Sequence, residues 1–168
     1  MSGQKKWLVS CYGPTEDLTL LCLLALPAFA ADTTIVGKKV VGVHDGDTLT
    51  LRTEDETLKV RLSGIDTPEL GQPFGNNAKQ ALSALSFGKT ATIKSSGKDR
   101  YGRTLGYIFI EDQAINTMMV RMGMAWWYRR YDKTEELENA ERYAKEHKIG
   151  LWADKNPISP WDWRKGKR

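Results

Sequence analysis

Apolar and polar residues alternate along two neighbouring stretches, Thr48 to Arg52 (TLTLR) and Leu58 to Leu62 (LKVRL). A period of two is the mark of half-buried strands, because successive side chains point to opposite faces. The polar stretch Thr53 to Thr57 between them predicts a hairpin. Ile35 to Val43 is rich in Val and Ile and reads as a strand before it, with a turn at Asp45-Gly46-Asp47. Thr90 to Ser95 and Leu105 to Ile110 give two more strands, separated by a polar loop from Ser96 to Arg103. The stretch from Gly64 to Asn77, rich in Gly, Pro and Asn, reads as loop.

Three segments follow the helical period instead. Ala78, Leu82 and Leu85 share one face of a helix that Asn76 or Asn77 can cap. Ile115 to Met122 reads as a second helix, stopped by Gly123. A third runs from about Thr134 to Lys148, after a start signal at Asp132 or Thr134, and ends at Gly150. The expectation is an α+β, mainly β fold: a five-stranded barrel of the OB type with three helices.

One uncharged apolar run, Leu18 to Ala30 (LTLLCLLALPAFA), does not belong to this pattern. It is shorter than the ~20 residues needed to span a bilayer. It ends in Ala28-Phe29-Ala30 and has Lys5 and Lys6 upstream, which predicts a signal peptide over residues 1–30 cleaved near Ala30. Glu16 and Asp17, just before the run, fit that reading badly. The expectation is an exported protein, periplasmic or secreted, whose residues 31–168 form one domain with a basic, Trp-containing tail. Both cysteines, Cys11 and Cys22, lie in the removable segment, so the mature domain has no disulfide, thiolate metal site or cysteine nucleophile. Removing the segment takes two bases and two acids and leaves the net charge at +4. That mild excess is compatible with a polyanionic partner without singling one out.

The candidate chemistry lies in three short stretches: Asp45-Gly46-Asp47-Thr48, Arg61 with Asp66-Thr67-Pro68-Glu69, and Asp99-Arg100-Tyr101-Gly102-Arg103. Each has an ordinary reading alone: a turn, a helix start, a solvated arginine. Together they supply oxygen donors for a hard cation such as Ca²⁺ at Asp47, Asp66 and Thr67. They also supply two guanidinium forks for phosphate at Arg61 and Arg103, and a spare carboxylate at Glu69. Those are the parts that phosphodiester hydrolysis requires.

In this order, the stretches resemble the signature blocks of the staphylococcal nuclease (thermonuclease) family: DGDT, then R-x4-DTPE, then D-[KR]-YGR. The resemblance covers about Val36 to Trp152. It implies an OB-fold nuclease that needs Ca²⁺, acts on DNA and RNA, and leaves 3′-phosphate ends. It implies Asp47 and Asp66 as carboxylate ligands, the Thr67 carbonyl as a third ligand, Arg61 and Arg103 on the scissile phosphate, and Glu69 as activator of water. Arg100 and Tyr101 would touch neighbouring phosphates, and Tyr131 the nucleotide. Two places depart from the best-known member. Leu70 to Asn77 is a shorter loop without a lysine-rich stretch, and Arg129 stands where that member has a second tyrosine. The expected protein is a monomer with no stable membrane association after processing. The competing expectation is a non-catalytic OB-fold module that holds nucleic acid without cutting it; such a module would be expected to lose some of Arg61, Glu69, Arg103 or the acidic ligands, and here all stand.

Overall fold

The computed structural model describes residues 33–54 and 56–168; the predicted signal peptide lies outside them. Five strands build the barrel: β1 (Thr33–Val43), β2 (Thr48–Arg52), β3 (Thr57–Leu62), β5 (Thr90–Lys98) and β6 (Thr104–Ile110). Their order is β3-β2-β1-β5-β6, and a parallel pairing of β3 with β6 closes the sheet on itself. Closure removes the free edges that an open sheet would expose. Val40, Leu49, Leu51, Val60, Leu62, Ile93 and Ile108 fill the inside, each almost fully buried. Leu49, Leu51, Val60 and Leu62 are apolar members of the alternating stretches, so there the period-two pattern and the barrel interior coincide.

Close backbone approach is built in at Gly106. A Cβ there would lie 2.7 Å from Ile93 Cγ2 and 2.8 Å from the Lys94 carbonyl oxygen, so β5 and β6 can meet only over a glycine.

The helices pack outside. α1 (Gly75–Ser86), α2 (Ile115–Arg121) and α3 (Glu135–Glu146) fall where the helical period predicts, and α2 packs against both of the others. Thr134 precedes α3, and its N–H and hydroxyl donate to Asp132 Oδ1 at 2.7 and 2.6 Å. Glu135, Glu136 and Glu138 then occupy the first turn, where acids offset the positive helix end.

The structure differs from the sequence expectation in several places. α1 is not capped by an asparagine; its N-cap is Phe74, in the left-handed region at φ 68° with no side-chain cap. The cause is the tight turn before it. The Gly75 N–H donates to the Gln72 carbonyl at 2.9 Å, and a Cβ on Gly75 would fall 1.9 Å from the Glu69 carbonyl oxygen. β5 runs on to Lys98 through an irregularity between Ser95 and Gly97, into what reads as polar loop. Four short elements carry too few residues for a periodic signal: β4 (Ile65–Asp66), β7 (Gln113–Ala114), β8 (Trp126–Trp127) and α4 (Pro160–Trp163). A 3-10 turn spans Gly150–Ala153. Among the described residues, no helix is long and apolar enough to cross a membrane.

Candidate active site

The register of the barrel gathers the predicted site residues. Thr48 faces Arg61 across β2 and β3, so Asp47, just before Thr48, lies beside Arg61. Arg61 faces Leu105 across the closing β3–β6 pair, which places Arg103 at the start of the adjoining strand. Asp66 comes from β4, two residues after the turn at Gly64. Three sequence-distant stretches therefore meet at one rim of the barrel.

Arg61 sits at the centre, its side chain 15% exposed. Its Nη1 donates to the Leu62 and Ile65 carbonyls at 2.7 and 3.0 Å. Its Nη2 lies 3.0 Å from Asp47 Oδ2 and 3.2 Å from Asp66 Oδ1. The guanidinium is thus fixed by four acceptors and bridges two carboxylates. Asp47 is also held by Thr67, whose N–H and hydroxyl donate to Asp47 Oδ2 at 3.0 and 2.9 Å. Gly46 makes room for this contact. A Cβ there would lie 2.7 Å from both Thr67 Oγ1 and Ala78 Cβ.

Burial pushes the Asp47 carboxyl up to about 6; Arg61 opposes the rise, while Asp45 and Asp66 add to it. Among the described residues, no three His, Cys, Asp or Glu side chains converge closely enough to hold a metal by themselves. Asp47 and Asp66, with neighbouring backbone oxygen, could serve a hard cation, which takes oxygen donors and would leave room for water and substrate in its shell.

Arg103 is positioned by Asp99. Its Nε lies 2.7 Å from Asp99 Oδ2, and Asp99 Oδ1 accepts the N–H groups of Tyr101 and Arg103, both at 2.9 Å. Burial alone would raise the Asp99 carboxyl, but the Arg103 side chain and these N–H groups outweigh it and hold it below the usual range. Arg103 Nη1 reaches Thr48 Oγ1 at 3.5 Å, next to Asp47.

The other predicted residues have local surroundings. Arg100 Nη2 donates to the Tyr101 hydroxyl at 2.6 Å, and Tyr101 is 69% exposed. Tyr131, equally exposed, meets Tyr128 edge-on at 4.8 Å. Arg129 turns to α3, with Nη2 2.8 Å from Glu141 Oε2.

Glu69 lies in the loop after β4. Gln72 braces it: Gln72 Oε1 accepts the Glu69 N–H at 3.2 Å, and Gln72 Nε2 donates to the Ile158 carbonyl at 2.6 Å. Gln72 and three further residues take roles that the sequence pattern does not point to; Arg164 reads there only as one base of the tail. Asn116 is fully buried; its Nδ2 donates to the Ser63 carbonyl at 2.8 Å and its Oδ1 accepts the Ile108 N–H at 3.0 Å, tying the β3–β4 turn to β6. Glu141 accepts the Trp127 N–H at 3.1 Å. Arg164 contacts both Asp66 and Glu69. A lone polar residue on a helix, or a basic one in a tail, carries no pattern that points to such roles.

Comparison with known proteins points to one family. A family model described as staphylococcal nuclease homologue matches residues 59–154. That span includes Arg61, Asp66, Thr67, Glu69 and Arg103; Asp47 and Arg164 lie outside it. An uncharacterized endonuclease of Haemophilus influenzae is 44% identical over 131 residues, covering 77% of this chain and 74% of that one. A micrococcal nuclease of Shigella flexneri is 39% identical over 141 residues, covering 77% and 81%. A staphylococcal-like nuclease of Arabidopsis thaliana is 42% identical over 110 residues, which is 66% of this chain and 34% of that longer protein.

Proposed function

The chain belongs to the staphylococcal nuclease family, and we propose that it is an exported, Ca²⁺-dependent endonuclease that cuts DNA and RNA and leaves 3′-phosphate ends. Its family makes it a nuclease, a hydrolase of phosphodiester bonds in nucleic acid. The ion, the product ends, the residue roles and the export belong to the proposal.

The observation that carries the reading is the position of Arg61. Its guanidinium lies 3.0 Å from Asp47 and 3.2 Å from Asp66, so a phosphate-gripping cation and a pair of oxygen donors share one place. A phosphodiester is anionic and repels a nucleophile. A bound Ca²⁺, held by Asp47, Asp66 and the Thr67 carbonyl, would supply Lewis-acid stabilisation of the phosphate charge. Arg61 and Arg103 add hydrogen bonds to the non-bridging oxygens, stronger as charge grows toward the transition state. Arg61 is held by carboxylates and backbone carbonyls and Arg103 by Asp99 and the Thr48 hydroxyl before substrate arrives, so little reorganisation is needed. Glu69, 46% exposed, is reachable by water and can take the proton from the attacking one. The leaving group is the 5′ oxygen, and the phosphate stays on the 3′ side.

A nuclease gel tests the reading directly. Plasmid DNA and a structured RNA are incubated with the protein in Ca²⁺, in Mg²⁺ and in chelator. Cutting in Ca²⁺ that stops with chelator supports it. Retardation of the nucleic acid without any cutting would instead identify a binding module.

A further inference from the structure

The end of the chain folds back onto the acidic rim. Ser159 starts α4 by accepting the Asp162 N–H on its hydroxyl at 3.3 Å. The Trp161 ring then stacks on Tyr128 at 5.3 Å with 7° between the planes, and meets Trp126 edge-on at 5.5 Å. Trp126 is the β8 residue paired with Asp66. The Gln72 bond to the Ile158 carbonyl fixes the other side of the segment to the Glu69 loop. These contacts deliver Arg164 to one spot. Its Nη2 is 2.7 Å from Asp66 Oδ2, and its Nη1 is 3.3 Å from Asp66 Oδ1 and 2.7 Å from Glu69 Oε1.

Most surface ion pairs contribute little and mean little. This one differs in two respects. The Asp66 side chain is only 3% exposed, and the fork takes both of its oxygens while reaching a second acid. A hard dication binds carboxylate oxygens at ~2.3–2.6 Å. Unlike Arg61, which meets Asp66 at one oxygen, the Arg164 fork spans both, so a dication on this carboxylate competes with it directly and would stand a few ångströms from a like charge.

We propose that Arg164 is an intramolecular counter-cation of the active site: it neutralises Asp66 and Glu69 until a divalent cation displaces it, and so sets how much cation the enzyme requires. This rests on the reading that Asp66 binds the cation and Glu69 serves the attacking water. The tail is then part of the site rather than a solvated terminus. With Arg164 in place, both Asp66 oxygens and one Glu69 oxygen are engaged by a guanidinium, so a metal must compete for them. Displacement frees both carboxylates in one movement.

The test is calorimetric titration of the full chain with Ca²⁺, without nucleic acid, for the wild type, Arg164→Gln, Arg164→Lys, Lys165→Gln and Asp66→Asn. Arg164→Gln should bind Ca²⁺ about three- to tenfold more tightly, the scale for a charge pair with one buried partner. Arg164→Lys, which keeps the charge but lacks the fork, should fall between. Lys165→Gln removes the same charge next door and should change nothing. In ¹⁵N-labelled wild type, the Arg164 Nε signal, assigned by its loss in Arg164→Gln, should shift on Ca²⁺ addition. Unchanged or weaker binding in Arg164→Gln overturns the proposal, as does equal tightening in Lys165→Gln, which would mean a general charge effect. Asp66→Asn separates the two layers. If it leaves Ca²⁺ affinity intact, the cation site itself has been misassigned; if it weakens binding while Arg164→Gln changes nothing, only the counter-cation role is lost.

Discussion

Asp66 is paired with Trp126 in a two-residue antiparallel ladder whose other rung joins Ile65 to Trp127. The Trp127 N–H in turn donates to Glu141 Oε1 at 3.1 Å. A buried acid on α3 thus orients the strand that orients a candidate cation-binding carboxylate. Arg129 and Lys145 each lie 2.8 Å from Glu141 Oε2, which lets the charge sit at 2% side-chain exposure.

Glu141→Ala should therefore act at a distance. It leaves the Trp127 N–H without its acceptor, at a cost of about 1–3 kcal/mol, while Arg129 and Lys145 are exposed enough to regain water. Urea unfolding should show that loss, and amide hydrogen exchange should speed up selectively at Trp127. An unchanged exchange rate there would mean that Glu141 does not hold β8.

Gly46→Ala should damage the site through packing alone. Its Cβ would overlap Ala78 and Thr67, and overpacking of this kind costs about 1–3 kcal/mol. Because Thr67 is the residue that fixes Asp47, the variant should also lose cutting activity at temperatures where it remains folded. Full activity in a destabilised variant would separate Thr67 placement from function.

Much of this was legible beforehand, for a physical reason. The barrel interior is written as a period of two in TLTLR and LKVRL, and the three main helices as a period near four, because each buries one face. The pairing of Asp47 with Arg61 follows from the hairpin register that the two stretches imply, whereas Arg103 joins them only through the closing β3–β6 pair. What was not legible depends on single contacts across long sequence separations. The ladder at Trp126 is too short for a pattern. The start of α1 is set by a tight turn that only a glycine at 75 can fit, rather than by a capping side chain. Arg164 reads as one of four bases in a tail, and only the fold of that tail brings it to Asp66.

Asp99 should behave as a positioning residue for Arg103, and pH reveals it. Its folded value lies below the ordinary 3.8, so the folded protein holds the charged form more firmly than the unfolded chain does. That stabilisation is present in full above the unfolded value and fades as pH falls through the lower folded one. Asp99→Asn should thus be less stable than wild type at pH 7, by no more than about 1 kcal/mol for so accessible a pair. The gap should begin to narrow below about pH 4 and close once the pH has fallen past the lower folded value. At pH 7 the variant should cut more slowly with little change in KM, because Arg103 is less well aimed. A gap that persists at pH 2 would mean that the lost contacts are not those of the carboxylate.

The division between catalysis and binding can be tested last. Arg61, Arg103 and Glu69 are proposed to act chiefly in the transition state, whereas Tyr131, exposed and packed on Tyr128, can touch only bound nucleic acid. An interaction made only in the transition state lowers kcat and leaves affinity nearly intact when removed. Removal of one preorganised donor typically costs ~100- to 1000-fold in rate. Arg61→Ala, Arg103→Ala and Glu69→Gln should each lose about that much in kcat, by the same reasoning. Arg61→Ala should lose more than Arg103→Ala, because Arg61 also bridges Asp47 and Asp66 and its removal leaves two buried acids facing each other. Tyr131→Ala should instead raise KM at unchanged kcat, since one stacked ring contributes ~1–3 kcal/mol to single-strand binding. Cutting rates and filter binding for each variant, at two salt concentrations, decide the matter. If Glu69→Gln cuts at wild-type speed, or loses binding in proportion to cutting, then Glu69 is not the group that activates water, and another base must be sought at the rim that Asp47, Asp66 and Arg164 share.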